Sequence, residues 1–127
     1  MNENQHEELI AGISAEYGQL LASSSQAIYI YLDDVHKLCN EKFAALLGYS
    51  SPQEWAAVEE NFPTAFVADE SQEDLVETYG RAMQEAAASM VDITWKTKSG
   101  KPVKTSVILA PISHQGFAAA LHFVTEK

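Results

Sequence analysis

Between Glu8 and Leu21 the apolar residues fall at Leu9, Ile10, Ile13, Tyr17, Leu20 and Leu21, and the steps of three, four and three through Ile10, Ile13, Tyr17 and Leu20 draw a narrow helical stripe. Acids and amides fill the opposite face, and Ser23-Ser24-Ser25 ends the segment as a polar hinge. The stripe has two readings of equal weight: it covers the surface of its own domain, or it forms a homodimer seam. Residues 1–22 are therefore expected to be an amphipathic N-terminal helix, a cap or dimerisation element, ahead of a domain over 23–127.

Ala27-Ile28-Tyr29-Ile30-Tyr31-Leu32 is rich in β-formers and apolar on both faces, as a strand covered on both sides would be. Asp33-Asp34 turns the chain and Val35 to Cys39 returns as a second strand. Asn40 can cap a helix over Glu41 to Leu47, because its side-chain oxygen accepts from an otherwise orphan N–H, and Gly48 can supply the left-handed residue that stops it. Ser51-Pro52-Gln53-Glu54 joins a capping-box pattern to a first-turn proline and opens a short helix anchored by Trp55 and Val58, which Asn61-Phe62-Pro63-Thr64 breaks. A longer helix is predicted over about residues 72–88, with Leu75, Tyr79, Met83 and Ala86 on one face. From Met90 the period becomes two: Val91, Ile93 and Trp95 alternate with Asp92, Thr94 and Lys96. A turn at Lys98-Ser99-Gly100-Lys101 leads to a strand over Val103 to Ile112, with Val103, Thr105, Val107 and Leu109 on one face, and a turn at Ser113-His114-Gln115-Gly116 leads to the last strand, Phe117 to Thr125. Helix, two strands, helices and three strands make an α+β chain.

Composition narrows this further. At 127 residues, 46% of them hydrophobic, the chain suffices for one compact core and not two. Its formal charge of −10 repels phosphate backbones and anionic lipid, which argues against nucleic acid and against direct membrane insertion. The longest apolar runs, Val107 to Ile112 and Phe117 to Leu121, are far shorter than the ~20 residues a spanning helix needs, and Met1 to Glu8 has no basic signal region, so a cytoplasmic location is expected. Cys39 is the single cysteine and can form neither an internal disulfide nor a thiolate zinc cage. Acidity is uneven: residues 1–34 carry six acids and no base, whereas 91–127 carry five bases against two acids.

The element order, the stretch Asn40-Glu41-Lys42-Phe43-Ala44-Ala45-Leu46-Leu47-Gly48-Tyr49-Ser50 and the late Gly100-centred hairpin together resemble the PAS sensor family over about residues 23–126. Asn40, Phe43, Leu46, Leu47, Gly48 and Tyr49 fit its N-x-x-F-x-x-L-L-G-Y signature, and Ala68-Asp69-Glu70 resembles its lead-in to the long helix. The closing Phe123-Val124-Thr125 keeps the family's threonine but has phenylalanine where aspartate is common. The resemblance implies a PAS-like five-stranded antiparallel sheet with helices on one face, enclosing a cavity for a small ligand. By the family's register Cys39, Ile28 and Ile30 face that pocket with Phe43, Leu47, Leu75, Tyr79, Met83, Trp95 and Val107, while Tyr29 and Tyr31 join Ile108, Ala110, Ala118 and Ala120 on the outer face. It further implies a homodimer, through Ile10, Ile13, Tyr17 and Leu20, and two-component signalling to a histidine kinase, a cyclic-dinucleotide enzyme or a transcription regulator in cis or in trans. The alternative is a ligand-free PAS dimerisation module whose cavity is filled by Trp95, Phe43, Tyr79 and Phe117.

Candidate chemistry is sparse. His6, His36, His114 and His122 are scattered, none lies in the long helix where haem-binding members carry an axial ligand, and His122 alternates away from the Phe117-Ala119-Leu121-Phe123 face, so neither haem nor a histidine metal site is expected. Cys39 precedes the signature asparagine and is not placed as the adduct-forming cysteine of light-oxygen-voltage members. A noncovalent flavin, stacked on Trp95 or Tyr79, and a small organic ligand both stay open as cofactors. Asp33-Asp34 and Glu59-Glu60 read as turn or helix-end pairs, with no nucleophile, base and orienter assembled around them, so no enzyme is expected. Lys96, Lys98, Lys101 and Lys104 read as the solvated face of the late hairpin, or as an anchor for an acidic partner.

Overall fold

The computed structural model describes residues 3–127. Its elements, in chain order, are α1 (Glu3–Ser23), β1 (Ala27–Tyr31), β2 (Lys37–Cys39), α2 (Glu41–Leu46), α3 (Pro52–Ala56), α4 (Phe62–Phe66), α5 (Asp69–Glu85), β3 (Ser89–Lys96), β4 (Pro102–His114) and β5 (Phe117–Glu126). The five strands form one antiparallel sheet in the order β2-β1-β5-β4-β3. One sheet face meets α2 to α5, and α1 lies against the other.

The starts and stops follow the local chemistry. The Asn40 side chain accepts from Phe43 N at 3.0 Å to cap α2 and from Ile28 N at 3.1 Å, while its Nδ2 donates to Gln26 O at 2.8 Å, so one amide joins a helix start to a strand. Gly48, at φ +85°, ends that turn. Ser51 Oγ accepts from Glu54 N at 3.0 Å, and Glu54 reaches back to Ser50 N, one residue before the position a capping box would use. The β1–β2 turn is an Asx turn: Asp33 Oδ1 accepts from Val35 N at 3.0 Å and from His36 N at 2.7 Å, which shortens the second strand from the expected Val35–Cys39 to Lys37–Cys39.

Two helix expectations change. Asn61-Phe62-Pro63-Thr64 does not merely break a helix; Asn61 Oδ1 accepts from Thr64 N at 3.3 Å and starts α4, with Pro63 in its first turn where a missing N–H costs nothing. The long helix runs Asp69–Glu85 rather than 72–88, ended by Ala86 in the left-handed region at φ 53°. Its buried face is Ser71, Leu75, Thr78 and Ala82, flanked by half-buried Tyr79 and Met83.

Strand pairing decides which residues share a face. Tyr29 lies opposite Cys39 on β2 and opposite His122 on β5, and all three point toward α2–α5. Ile30 lies opposite Leu38 and Leu121, and with Ile28, Ala119 and Phe123 it points toward α1. This reverses the expected register of β1: Ile28 and Ile30 are outside, whereas Tyr29 and Tyr31 are inside. The β5 expectation reverses too, since the Ala119-Leu121-Phe123 set faces α1, while His122 faces the interior and Ala120 packs there with Ala82 and Leu109. Both sheet faces are covered, so apolar alternation alone could not distinguish them.

The inner core is aromatic. Trp55, Trp95, Tyr29, Phe43 and Phe66 are its largest fully buried side chains, each stabilising the fold by roughly 2–3 kcal/mol on burial. Trp95 donates to Thr105 Oγ1 at 2.7 Å and Thr105 donates on to Ile93 O at 2.8 Å, which satisfies the indole inside the core. The outer β3 edge is partly closed: Val67 forms a bridge to Trp95, Ala68 N donates to Thr94 O at 2.9 Å, and Thr94 N donates to Ser71 Oγ at 2.9 Å. Among the described residues no helix is long and apolar enough to cross a membrane.

Candidate ligand-binding site

A cavity of about 250 Å³ opens between the inner face of β1 and β5, the start of α4 and the middle of α5. Tyr29, Tyr31, Phe62, Leu75, Tyr79 and His122 make most of its wall, completed by Asp34, Asn61, Pro63 and Val76. Its floor is a parallel stack of Tyr29 on His122, ring centroids 3.8 Å apart and planes 7° from parallel, which the direct β1–β5 pairing of the two residues produces.

Both floor rings are buried, and among the described residues neither the Tyr29 hydroxyl nor His122 Nδ1 has a hydrogen-bond partner. Burial pushes the His122 pKa down to about 3, against a smaller opposing pull from the Tyr29 and Ala120 carbonyls, neither of which meets Nδ1 at bonding geometry. The imidazole is therefore neutral at physiological pH, offering one donor and one acceptor. Burial likewise raises the Tyr29 hydroxyl well above the usual tyrosine range, with a smaller contribution from Tyr31, so it stays protonated. A buried polar group without a partner costs about 1–3 kcal/mol, and two share this floor.

The wall is held by Asp34. Its Oδ1 accepts from the Tyr31 hydroxyl at 2.9 Å and from Phe62 N at 3.1 Å, joining the end of β1 to the start of α4. Burial, then the bond to Asp34, raises the Tyr31 pKa; burial, then the charges of Asp33 and Asp34, raises that of Tyr79. Behind this wall Lys37 is almost fully buried, donating to Asp34 O at 2.6 Å, to Ala56 O at 3.2 Å and to Val58 O, with Nζ 5.5 Å from the Trp55 ring centroid. Burial lowers its pKa, while Asp34 and Glu59 oppose that shift.

Of the residues expected at the pocket, Leu75 and Tyr79 line this cavity. Phe43, Leu47, Trp95 and Val107 lie in the packed aromatic core beside it, and Met83 packs with Ala82, Leu109 and Ala120. Ile28 and Ile30 are on the opposite sheet face, under α1. Cys39 sits in the inner core, where burial pushes its thiol up to about 12 and leaves it protonated and unreactive. Along the α1 stripe, Ile13 is 1% exposed against the sheet, Ile10 and Tyr17 are half-buried, and Leu20 is 37% exposed. Sequence reasoning missed Tyr29, His122 and Lys37; the first two are brought together by the strand register, which apolar alternation does not carry. His6 and His36 are not scattered either, for their ring centroids lie 5.4 Å apart. On the hairpin, Lys98 donates to Glu54 Oε2 at 2.7 Å and Lys96 lies 3.8 Å from Asp69.

No family model matches the chain, and no curated protein matches it. Solved structures do. A PAS domain from Colwellia psychrerythraea superimposes with a TM-score of 0.70 at 15% identity, covering 91% of this chain and 97% of that one. A PAS domain from a two-component sensor histidine kinase gives 0.68 at 15% identity, with 92% and 99% covered. A structure of a light-oxygen-voltage domain, described with a flavin analogue, gives 0.63 at 15% identity, with 91% and 84% covered. The chain has the PAS fold, a five-stranded antiparallel sheet with its helices, as its element order implied.

Proposed function

We propose that this chain is a PAS sensory domain that takes a small, uncharged, largely apolar organic molecule between α4, α5 and the β1–β5 floor. One observation carries the reading: the Tyr29 hydroxyl and His122 Nδ1, on stacked rings that line an aromatic cavity, are buried with no partner among the described residues. A ligand with a hydroxyl, carbonyl or amide group would satisfy both while its apolar part meets Phe62, Leu75 and Tyr79. A charged ligand fits poorly, because His122 is neutral and Asp34 already takes two donors. At about 250 Å³ the cavity falls below the ~300–1,000 Å³ of drug-sized sites, which favours a compact molecule over flavin.

The role is regulatory, without chemistry at the cavity, and the PAS domain of a two-component sensor histidine kinase, which shares this fold, suggests a kinase or similar module in cis or in trans as output. Homodimerisation, where it occurs, would use the end of the α1 stripe that its own sheet leaves open, at Leu20. A second reading, the ligand-free interaction module, has its own support: the centre of the domain is filled by Trp55, Trp95, Phe43 and Phe66.

Native mass spectrometry of freshly purified protein, followed by an NMR screen of small alcohols, phenols and amides, separates the two. The sensory reading expects a retained mass or saturable shifts centred on Tyr29, Tyr79 and His122, weakened at least tenfold in His122→Phe, about the worth of one buried hydrogen bond. No retained mass and no saturable shift in the whole panel leaves the interaction module standing instead.

A further inference from the structure

At the start of α1, away from the cavity, lies a second unusual group of side chains. The His36 side chain is only 6% exposed, and a carboxylate meets each of its ring nitrogens: Asp33 Oδ1 is 2.8 Å from Nδ1, and Glu3 Oε1 is 3.2 Å from Nε2. Glu7, one helical turn beyond Glu3, joins them, and the ligand atoms of Glu3, Glu7 and His36 all lie within 4.8 Å of one another.

A neutral imidazole has one N–H. Asp33 is built to receive it: its Oδ1 already takes the Val35 and His36 amides, and its Oδ2 meets His6 Nδ1. With that proton on Nδ1, the Nε2 lone pair faces the Glu3 carboxylate, acceptor against acceptor. A cation between them turns this opposition into coordination. The arrangement is also how metal-binding histidines are commonly held, with one ring nitrogen on the metal and the other donating to a carboxylate that fixes tautomer and orientation.

We propose that His36 Nε2, Glu3 and Glu7 form a divalent-metal site that clamps the start of α1 to the β1–β2 turn. One imidazole nitrogen with two carboxylates suits zinc better than the hard cations calcium and magnesium, which favour all-oxygen sets. The 3.2 Å between His36 Nε2 and Glu3 Oε1 is near the ~3.3 Å edge of a tetrahedron with bonds of about 2.0 Å. The positive end of the α1 dipole opposes a cation here, and two ligand carboxylates with Asp33 behind them outweigh that half charge. Asp33 is a positioning residue, acting through His36.

The site is testable independently of the cavity, with zinc as the probe. Untagged full chain is stripped with chelator, dialysed, and titrated against a chromophoric zinc competitor. One zinc per chain is expected, with a rise in melting temperature on zinc addition. Glu3→Gln/Glu7→Gln, at two exposed positions and so neutral for folding, should weaken binding at least tenfold and abolish the thermal shift with an unchanged circular dichroism spectrum. Asp33→Asn keeps an acceptor for the ring N–H but removes its charge, and should weaken binding about tenfold. Failure of the stripped protein to take up one zinc per chain on titration, or zinc bound undiminished by the double variant, overturns the assignment.

Discussion

A single buried amide ties a helix start to the sheet. Asn40 accepts from Phe43 N to cap α2, accepts from Ile28 N in the sheet and donates to Gln26 O, all while 5% exposed. Asn40→Ala removes the cap and strands two buried amides, so a loss of about 2–3 kcal/mol is expected in urea unfolding. Asn40→Asp keeps both acceptor bonds and should recover part of that loss. Such residues were legible in advance because their chemistry is local: Asn40, Ser51 and Gly48 act within a few positions of themselves. Tyr29 and His122 were not, since their meaning depends on a strand partner far along the chain and on which face the helices occupy.

At the scale of elements, α1 is a lid on its own sheet. Ile13 is fully buried among Ile28, Ile30, Ala119 and Leu121, with Tyr17 and Leu21 packed beside it. Gly12 lets the helix approach His114, whose Nε2 would lie 2.5 Å from a Cβ there, and Glu16 meets His114 Nδ1 at 2.6 Å. Ile13→Ala should cost about 2–4 kcal/mol of stability by thermal or denaturant unfolding, whereas Leu20→Ala, at the exposed end, should cost well under 1 kcal/mol. The helical period of α1 was plain in the sequence, while its partner was not: a stripe of three- and four-residue steps fits a sheet as well as a second helix. The meeting of His6 and Glu3 with Asp33 and His36 depends on that docking direction, which no periodicity specifies.

For the whole molecule, acid is the condition these buried groups should feel. His122 titrates near the ordinary histidine value when unfolded and at about 3 when folded, so the unfolded chain binds the extra proton between those limits. Its contribution to stability is intact above about pH 6.5 and falls as pH drops toward 3, at up to ~1.4 kcal/mol per unit. Asp33 acts lower: burial raises its pKa, but hydrogen bonds from His36 and His6 outweigh that and hold it below 3.8, so its contribution disappears only beneath the carboxylate range. Urea unfolding of wild type and His122→Phe between pH 7 and 4 should show a falling curve for the first and a flatter one for the second; parallel curves would remove His122 as the cause.

The start of α5 also bears on how the domain behaves among its own copies. β3 is a border strand, with an outward row of backbone groups that another chain could pair with. At Thr94 both outward groups are taken, the carbonyl by Ala68 and the amide by Ser71. Any intruding strand is confined to the other half, where the Asp92 carboxylate is held by Lys127 at 2.7 Å. A crowded solution thus meets a margin part-plugged, at Thr94, by the same few atoms that begin a helix.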